Sequence, residues 1–115
     1  MLETKVLKSL RGLGEDFLSE LISIYLREDA GLLERIQTAA ETQNGAEGSM
    51  AAHRLRGSSY SLGVVNIGDL CRDIEYAFDE NQFDRLEPLL TQLVFELEIA
   101  RAELRRVQNR LDCTT

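Results

Sequence analysis

This sequence is poor in the residues that break or staple a fold. Its 115 residues include one proline, two cysteines, one histidine and no tryptophan. A lone proline, Pro88, leaves most of the chain open to uninterrupted helix. Two cysteines are too few for a disulfide framework. Cys71 falls on an apolar helical face and Cys113 lies near the chain end, so a bridge would tie a core helix to a terminus. Both are read as free thiols, which fits a reducing, cytoplasmic setting. No Cys or His pairing has metal-ligand spacing. There is no apolar run of about 18 residues, which argues against a transmembrane span or direct membrane insertion. The opening stretch MLETKVLKSLRGLG lacks the apolar core and cleavage site of a secretion signal. Positive charge is also scarce: 13 Lys and Arg stand against 20 Asp and Glu, for a formal net charge of −7. Neutralising phosphates needs cations, so nucleic acid is a poor candidate partner.

What is present is apolar residues at helical spacing. Hydrophobic residues make up 43% and charged residues 29%, a composition that packs a core. The length suits one domain over residues 1–115. No segment alternates with the two-residue period of a strand. The breakers predict a short helix over about 3–11, then helices over about Glu15 to Arg27 and Asp29 to Thr42. Asn44-Gly45 marks a turn. The next helix runs from about Ala46 to Ser61 and closes at Leu62-Gly63. Another begins at Asn66, read as its N-cap, with Ile67, Leu70, Cys71, Ile74, Ala77 and Phe78 inward. The last starts between Phe83 and Pro88. It carries Leu86, Leu90, Leu93, Leu97, Ala100, Leu104, Val107 and Leu111 in steps that alternate four and three, a seam for bundle or coiled-coil packing. Short connections imply antiparallel neighbours. The fold expected is all-α: an up-and-down antiparallel four-helix bundle with one or two short accessory helices.

The one histidine, His53, sits in the helix over 46–61. Ala51, Leu55, Ser58 and Leu62 share the face read as core. His53 lies about 160° from Leu55 around the helix, with Met50, Arg56, Gly57 and Tyr60 on its side, so it should be exposed. Helical side chains lean toward the N-terminus, so the residue that would cover His53 is residue 57. That residue is glycine, which costs a helix about 0.5–1 kcal/mol relative to alanine. Two readings follow from the spacing. Gly57 leaves an imidazole edge open, with the Arg56 cation beside it, or it allows a neighbouring helix to pack closely.

The run His53-Arg54-Leu55-Arg56-Gly57-Ser58-Ser59, then Leu62-Gly63, then Cys71-Arg72-Asp73-Ile74-Glu75, resembles the histidine-containing phosphotransfer (HPt) domain family. That family's pattern is H-x-L-K-G-S-[SA], a Leu/Val-Gly pair a few residues later, and a following helix L-x-x-[LC]-x-x-[LI]-[EQ]. The resemblance covers nearly the whole chain. It implies that His53 accepts a phosphoryl group from a receiver-domain aspartate and passes it to another receiver. It implies that Arg56 supplies a cation for the phosphoryl oxygens, Gly57 steric access, and Glu75 orientation of the imidazole through Nδ1. The partners implied are receiver domains, those of hybrid sensor histidine kinases included, and the resemblance allows the domain to belong to a membrane-anchored sensor kinase. No cofactor is expected in this domain, because the receiver brings the divalent metal, and no ATP-dependent kinase activity of its own is expected. Arg56 departs from the family's usual lysine: a planar, forked donor replaces a compact one.

Three other readings stay open at this point. An ATP-dependent histidine kinase domain could serve His53 directly. The chain could be a non-catalytic helical interaction domain that pairs through its last helix. A hydrolase could pair His53 with Ser58 or Ser59, although no second catalytic cluster accompanies them.

Overall fold

The computed structural model describes residues 10, 12 and 14–113, and from Glu15 onward these form four α-helices and one 3₁₀ turn. Helix α1 covers Glu15–Thr42, α2 Gly45–Leu62, α3 Val65–Asp79 and α4 Leu86–Cys113. The 3₁₀ turn Phe83–Arg85 leads into α4, so Pro88 falls in the opening helical turn, where its missing N–H leaves no bond unmade. No strand occurs among the described residues. The short helix expected over 3–11 lies, apart from Leu10, outside them. Cys71 is buried and free; the side chain of Cys113 lies outside the described residues.

Two helices expected before residue 42 are one. The break expected between Arg27 and Asp29 does not occur, and α1 runs through it for 28 residues. Its buried positions explain why. Leu18, Ile22, Tyr25, Asp29, Leu32, Ile36 and Ala39 are all buried, and their steps of four and three continue without a fault. Asp29 occupies a core position on that seam. From the sequence its charge reads as a helix start; in the structure the Arg101 guanidinium of α4 lies 3.6 Å from it.

The link between α2 and α3 is shorter than expected. Gly63 takes the left-handed conformation at φ 84°, which favours glycine. The Gly63 N–H donates to the Tyr60 carbonyl and the Val64 N–H to the Ser59 carbonyl, a Schellman-type closure. Val64 is buried in the turn, and α3 starts at Val65, one residue before the expected cap. Asn66 is therefore inside the helix and caps nothing. Its side-chain amide instead donates to Glu96 of α4 at 2.6 Å. The N-cap of α2 is Asn44, which accepts from the Glu47 N–H.

Cross-helix contacts give the topology. Tyr25 meets Ser59 and Arg35 meets Glu47, so α1 and α2 are antiparallel. His53 meets Glu75 and Tyr60 meets Asp69, so α2 and α3 are antiparallel. Asn66 meets Glu96, while Phe78 packs edge-on against Phe83 just ahead of α4. Asp29 meets Arg101 and Ser23 meets Gln108, which returns α4 alongside α1. Helices α1 and α3 each pack against both α2 and α4. This is the up-and-down four-helix bundle expected from the periodicity. The far end of α4 is covered by its own chain: Leu104 and Leu111 are buried, and Gln108 reaches the Ser19 carbonyl of α1. At about 1.5 Å per residue, α1 and α4 are each ~42 Å long. The shorter α2 and α3 form a hairpin across them, and the site lies on that hairpin.

Candidate functional site

Helix α2 buries Ala51, Ala52, Leu55, Ser59 and Leu62. The core face is thus rotated slightly from the one expected. Ser59 is inward and Ser58 is only half-buried. The Ser59 hydroxyl is 2.9 Å from the Tyr25 hydroxyl, a buried pair linking α2 to α1. Ser58 donates back to the Arg54 and Leu55 carbonyls of its own helix. Both serines have structural partners, and neither contacts His53, so the serine-hydrolase reading has no nucleophile.

His53 emerges on the opposite side with 63% of its side chain exposed, as expected. Helix α3 turns Ile67, Leu70, Cys71, Ile74, Ala77 and Phe78 inward. That leaves Glu75 on the edge facing α2, 18% exposed. Its Oε2 lies 3.1 Å from His53 Nδ1. Arg56 approaches from one turn along α2. Its guanidinium is 3.1 Å from Glu75 Oε1 and 2.9 Å from His53 Nδ1. The three side chains form a closed cluster about Nδ1. No described residue bonds to Nε2.

The two contacts to Nδ1 demand different tautomers. A guanidinium only donates, so its bond to Nδ1 requires a bare Nδ1 and a proton on Nε2. A carboxylate only accepts, so its bond requires Nδ1–H and leaves the lone pair on Nε2. Only the second form is a nucleophile at Nε2. Arg56 does lie beside the imidazole, as the spacing suggested, on its Nδ1 side and paired with Glu75. In the Nδ1–H tautomer the guanidinium keeps its ion pair with Glu75 through one nitrogen while the other loses its acceptor at Nδ1, a division a planar fork allows.

Gly57 is helical, and a β-carbon built on it meets no atom within 4 Å. Close helix packing is therefore not its purpose. A methyl there would not touch the imidazole either; only a longer side chain could obstruct the surface. Gly57→Ala should stabilise the fold by about 0.5–1 kcal/mol through helix propensity, read as a higher denaturation midpoint. A loss of stability would restore the packing explanation.

Beneath the cluster, Cys71 is buried, and its thiol is pushed up to about 12 by burial and by the Glu75 carboxylate. It stays protonated and unreactive at neutral pH. Among the described residues, no group of three or more His, Cys, Asp or Glu side chains could hold a metal ion. Also among them, no helix is long and apolar enough to cross a membrane.

A family model described as Hpt domain matches residues 20–109. The chain belongs to the Hpt domain family. The histidine-containing phosphotransfer protein 2 of Arabidopsis thaliana is 25% identical over 107 residues, spanning 90% of this chain and 69% of that protein. Two solved structures share the fold. Histidine-containing phosphotransfer protein B (HptB) of Pseudomonas aeruginosa PAO1 superposes with a TM-score of 0.91 at 23% identity, covering 95% of each chain. The HPT domain of a sensor hybrid histidine kinase from Shewanella gives 0.80 at 24% identity, covering 95% of this chain and 94% of that one. Hpt domains act in histidine phosphotransfer within two-component phosphorelays, with receiver domains as partners, and that is the function of this domain. The exposed His53 was legible from helical spacing alone. Glu75 emerged only through the family resemblance. The Arg56 contact with Nδ1 and the bond between Tyr60 and Asp69 were missed, because both depend on how α2 and α3 meet.

Proposed function

We propose that His53 is the phospho-acceptor and that Nε2 is the reacting atom. The observation that carries this is the disposition of one imidazole: exposed, engaged among the described residues at Nδ1 alone, and flanked by the open surface over Gly57. A receiver domain presents an aspartyl phosphate in line with Nε2. The Nε2 lone pair attacks phosphorus, the N–P bond forms, the P–O bond to the aspartate breaks, and the receiver carboxylate leaves. The proton stays on Nδ1. Glu75 accepts its hydrogen bond throughout and offsets the positive charge that grows on the ring. Arg56 keeps one nitrogen on Glu75 and turns the other toward the phosphoryl oxygens. The receiver brings the divalent cation that neutralises most of the remaining phosphoryl charge. The reverse sequence delivers the group to a second receiver.

The test is transfer of labelled phosphate to the intact chain from a panel of phosphorylated receivers of the same organism. Label should pass to this chain, survive alkali and be lost in acid, as a phosphorus–nitrogen bond requires. Acid-stable label would place the group on a hydroxyl and sink the proposal. Label delivered only by a kinase domain with ATP, and by no receiver, would overturn the choice of donor.

A further inference from the structure

Tyr60 shares the stripe of His53 and Gly57, at i, i+4 and i+7 on α2. It is 36% exposed, yet it is held at two points. Its ring lies over Gly68 of α3 so closely that a β-carbon on residue 68 would come within 2.4 Å of it. Its hydroxyl donates to Asp69 at 2.6 Å. Asp69 in turn lies 3.9 Å from the Arg72 guanidinium, which balances its charge. An exposed tyrosine is ordinarily free to turn. This one has a bare backbone floor beneath the ring and an anchor at its tip.

The position matters because of what must cover it. Seven residues at about 1.5 Å each put Tyr60 only ~10 Å from His53 along the helix axis. A specific protein partner covers roughly 800 Å² per side, which as a flat disc centred on the reacting atom has a radius of about 16 Å. Any receiver that brings an aspartate in line with Nε2 therefore has Tyr60 within reach of its footprint. Gly57 leaves the ground between them low, so the ring stands up as a ledge beside the imidazole. Its hydroxyl proton is already committed to Asp69, so the larger part of what it offers a partner is ring surface. Fixed aromatics lose little entropy on binding and are frequent anchors of affinity.

We propose that Tyr60, clamped by Gly68 and Asp69, is a specificity-determining contact for the receiver, taking an apolar side chain that flanks the receiver's phosphorylated aspartate. The proposal rests on the phosphotransfer reading above and names the part of that surface which selects the partner. Tyr60 does not touch the reacting atoms, so its effect falls on docking rather than on the chemical step.

The experiment uses the full chain and the receiver that labels it fastest. Transfer rates are measured over a range of receiver concentrations for wild type, Tyr60→Ala and Gly68→Ala. Tyr60→Ala removes the ledge; Gly68→Ala keeps the tyrosine but forces its ring off the floor. Both should raise KM at least tenfold while kcat changes less than twofold. Tyr60→Phe keeps the ring but loses the anchor, and should fall between them and wild type. An unchanged KM in Tyr60→Ala, or a fall confined to kcat, overturns the proposal. So does a wild-type KM in Gly68→Ala, since the ring's placement would then be irrelevant. A separate control labels the wild type with phosphoramidate, a small donor with nothing to dock. If neither it nor any receiver labels His53, the phosphotransfer reading itself fails, and the result is distinct from a docking defect.

Discussion

His53→Gln will fold like the wild type and accept no phosphoryl group from any receiver that labels the wild type. The fold should hold because the imidazole is largely exposed and fills no core volume. Its loss also strands no buried charge. Glu75 keeps its ion pair with Arg56 at 3.1 Å, so the half-buried carboxylate retains a cation. Exposed substitutions of this kind usually change stability by less than about 0.5 kcal/mol. Transfer, by contrast, should vanish outright. Glutamine can mimic the hydrogen bond of Nδ1 but has no lone pair of comparable nucleophilicity to put where Nε2 stood. Matched melting curves and labelling of the two proteins check both halves. Retained label in His53→Gln would remove the histidine from the chemistry. A large fall in the melting midpoint would instead mean that the Nδ1 cluster is part of what holds α2 to α3.

The helices were legible in this sequence wherever one face was apolar and the punctuation was local. The Leu62-Gly63 stop of α2, the late start of α4 near Pro88 and the seam from Leu86 to Leu111 depend on residues within a turn of one another. The misreadings share a different cause. Asp29 reads locally as a helix start, but it is a core residue whose partner, Arg101, is 72 positions away. Asn66 reads as a cap, but the Schellman closure at Gly63 had already fixed where α3 begins. Ser58 and Ser59 are adjacent, and only the Tyr25 hydroxyl across the helix interface decides which one turns inward. The site follows the same rule. The exposure of His53 and the bare surface of Gly57 lie on one helix and show in its spacing. The geometry about Nδ1 needs Glu75 and α3, which no single-helix pattern contains.

The buried charge that interrupted the sequence reading leads to the largest expected effect on stability. Asp29 is 1% exposed, and neither carboxylate oxygen accepts a hydrogen bond of normal geometry. Its compensation is the Arg101 guanidinium at 3.6 Å, too long for a hydrogen bond, then the nearby Ala30 N–H and, more weakly, Arg105. Burial raises the Asp29 carboxyl above its ordinary value, and Arg101 opposes that rise. Arg101→Met keeps most of the apolar stem and removes the cation. A buried carboxylate then loses its nearest cation, with only the Ala30 N–H and Arg105 left to offset its charge, and breaking such a pair costs about 3–5 kcal/mol. The sign of the pH dependence follows from the raised value. A carboxyl that holds its proton more tightly when folded contributes stability below its unfolded value of 3.8, and that contribution is lost as pH rises through the folded value. Removing Arg101 raises the folded value further, so the loss deepens toward neutral pH. Arg101→Met should therefore lie well below wild type in denaturation midpoint at pH 7 and close to it near pH 4. The wild-type comparison at each pH largely cancels the titration of the other 19 acidic residues, since the chain carries 20 Asp and Glu in all. Replacing Asp29 with leucine in the same variant should recover most of the loss at pH 7, because an apolar pair leaves nothing unsolvated on the seam. An Arg101→Met deficit of equal size at both pH values would mean that the lost packing of the arginine stem, and not the stranded charge, sets the cost.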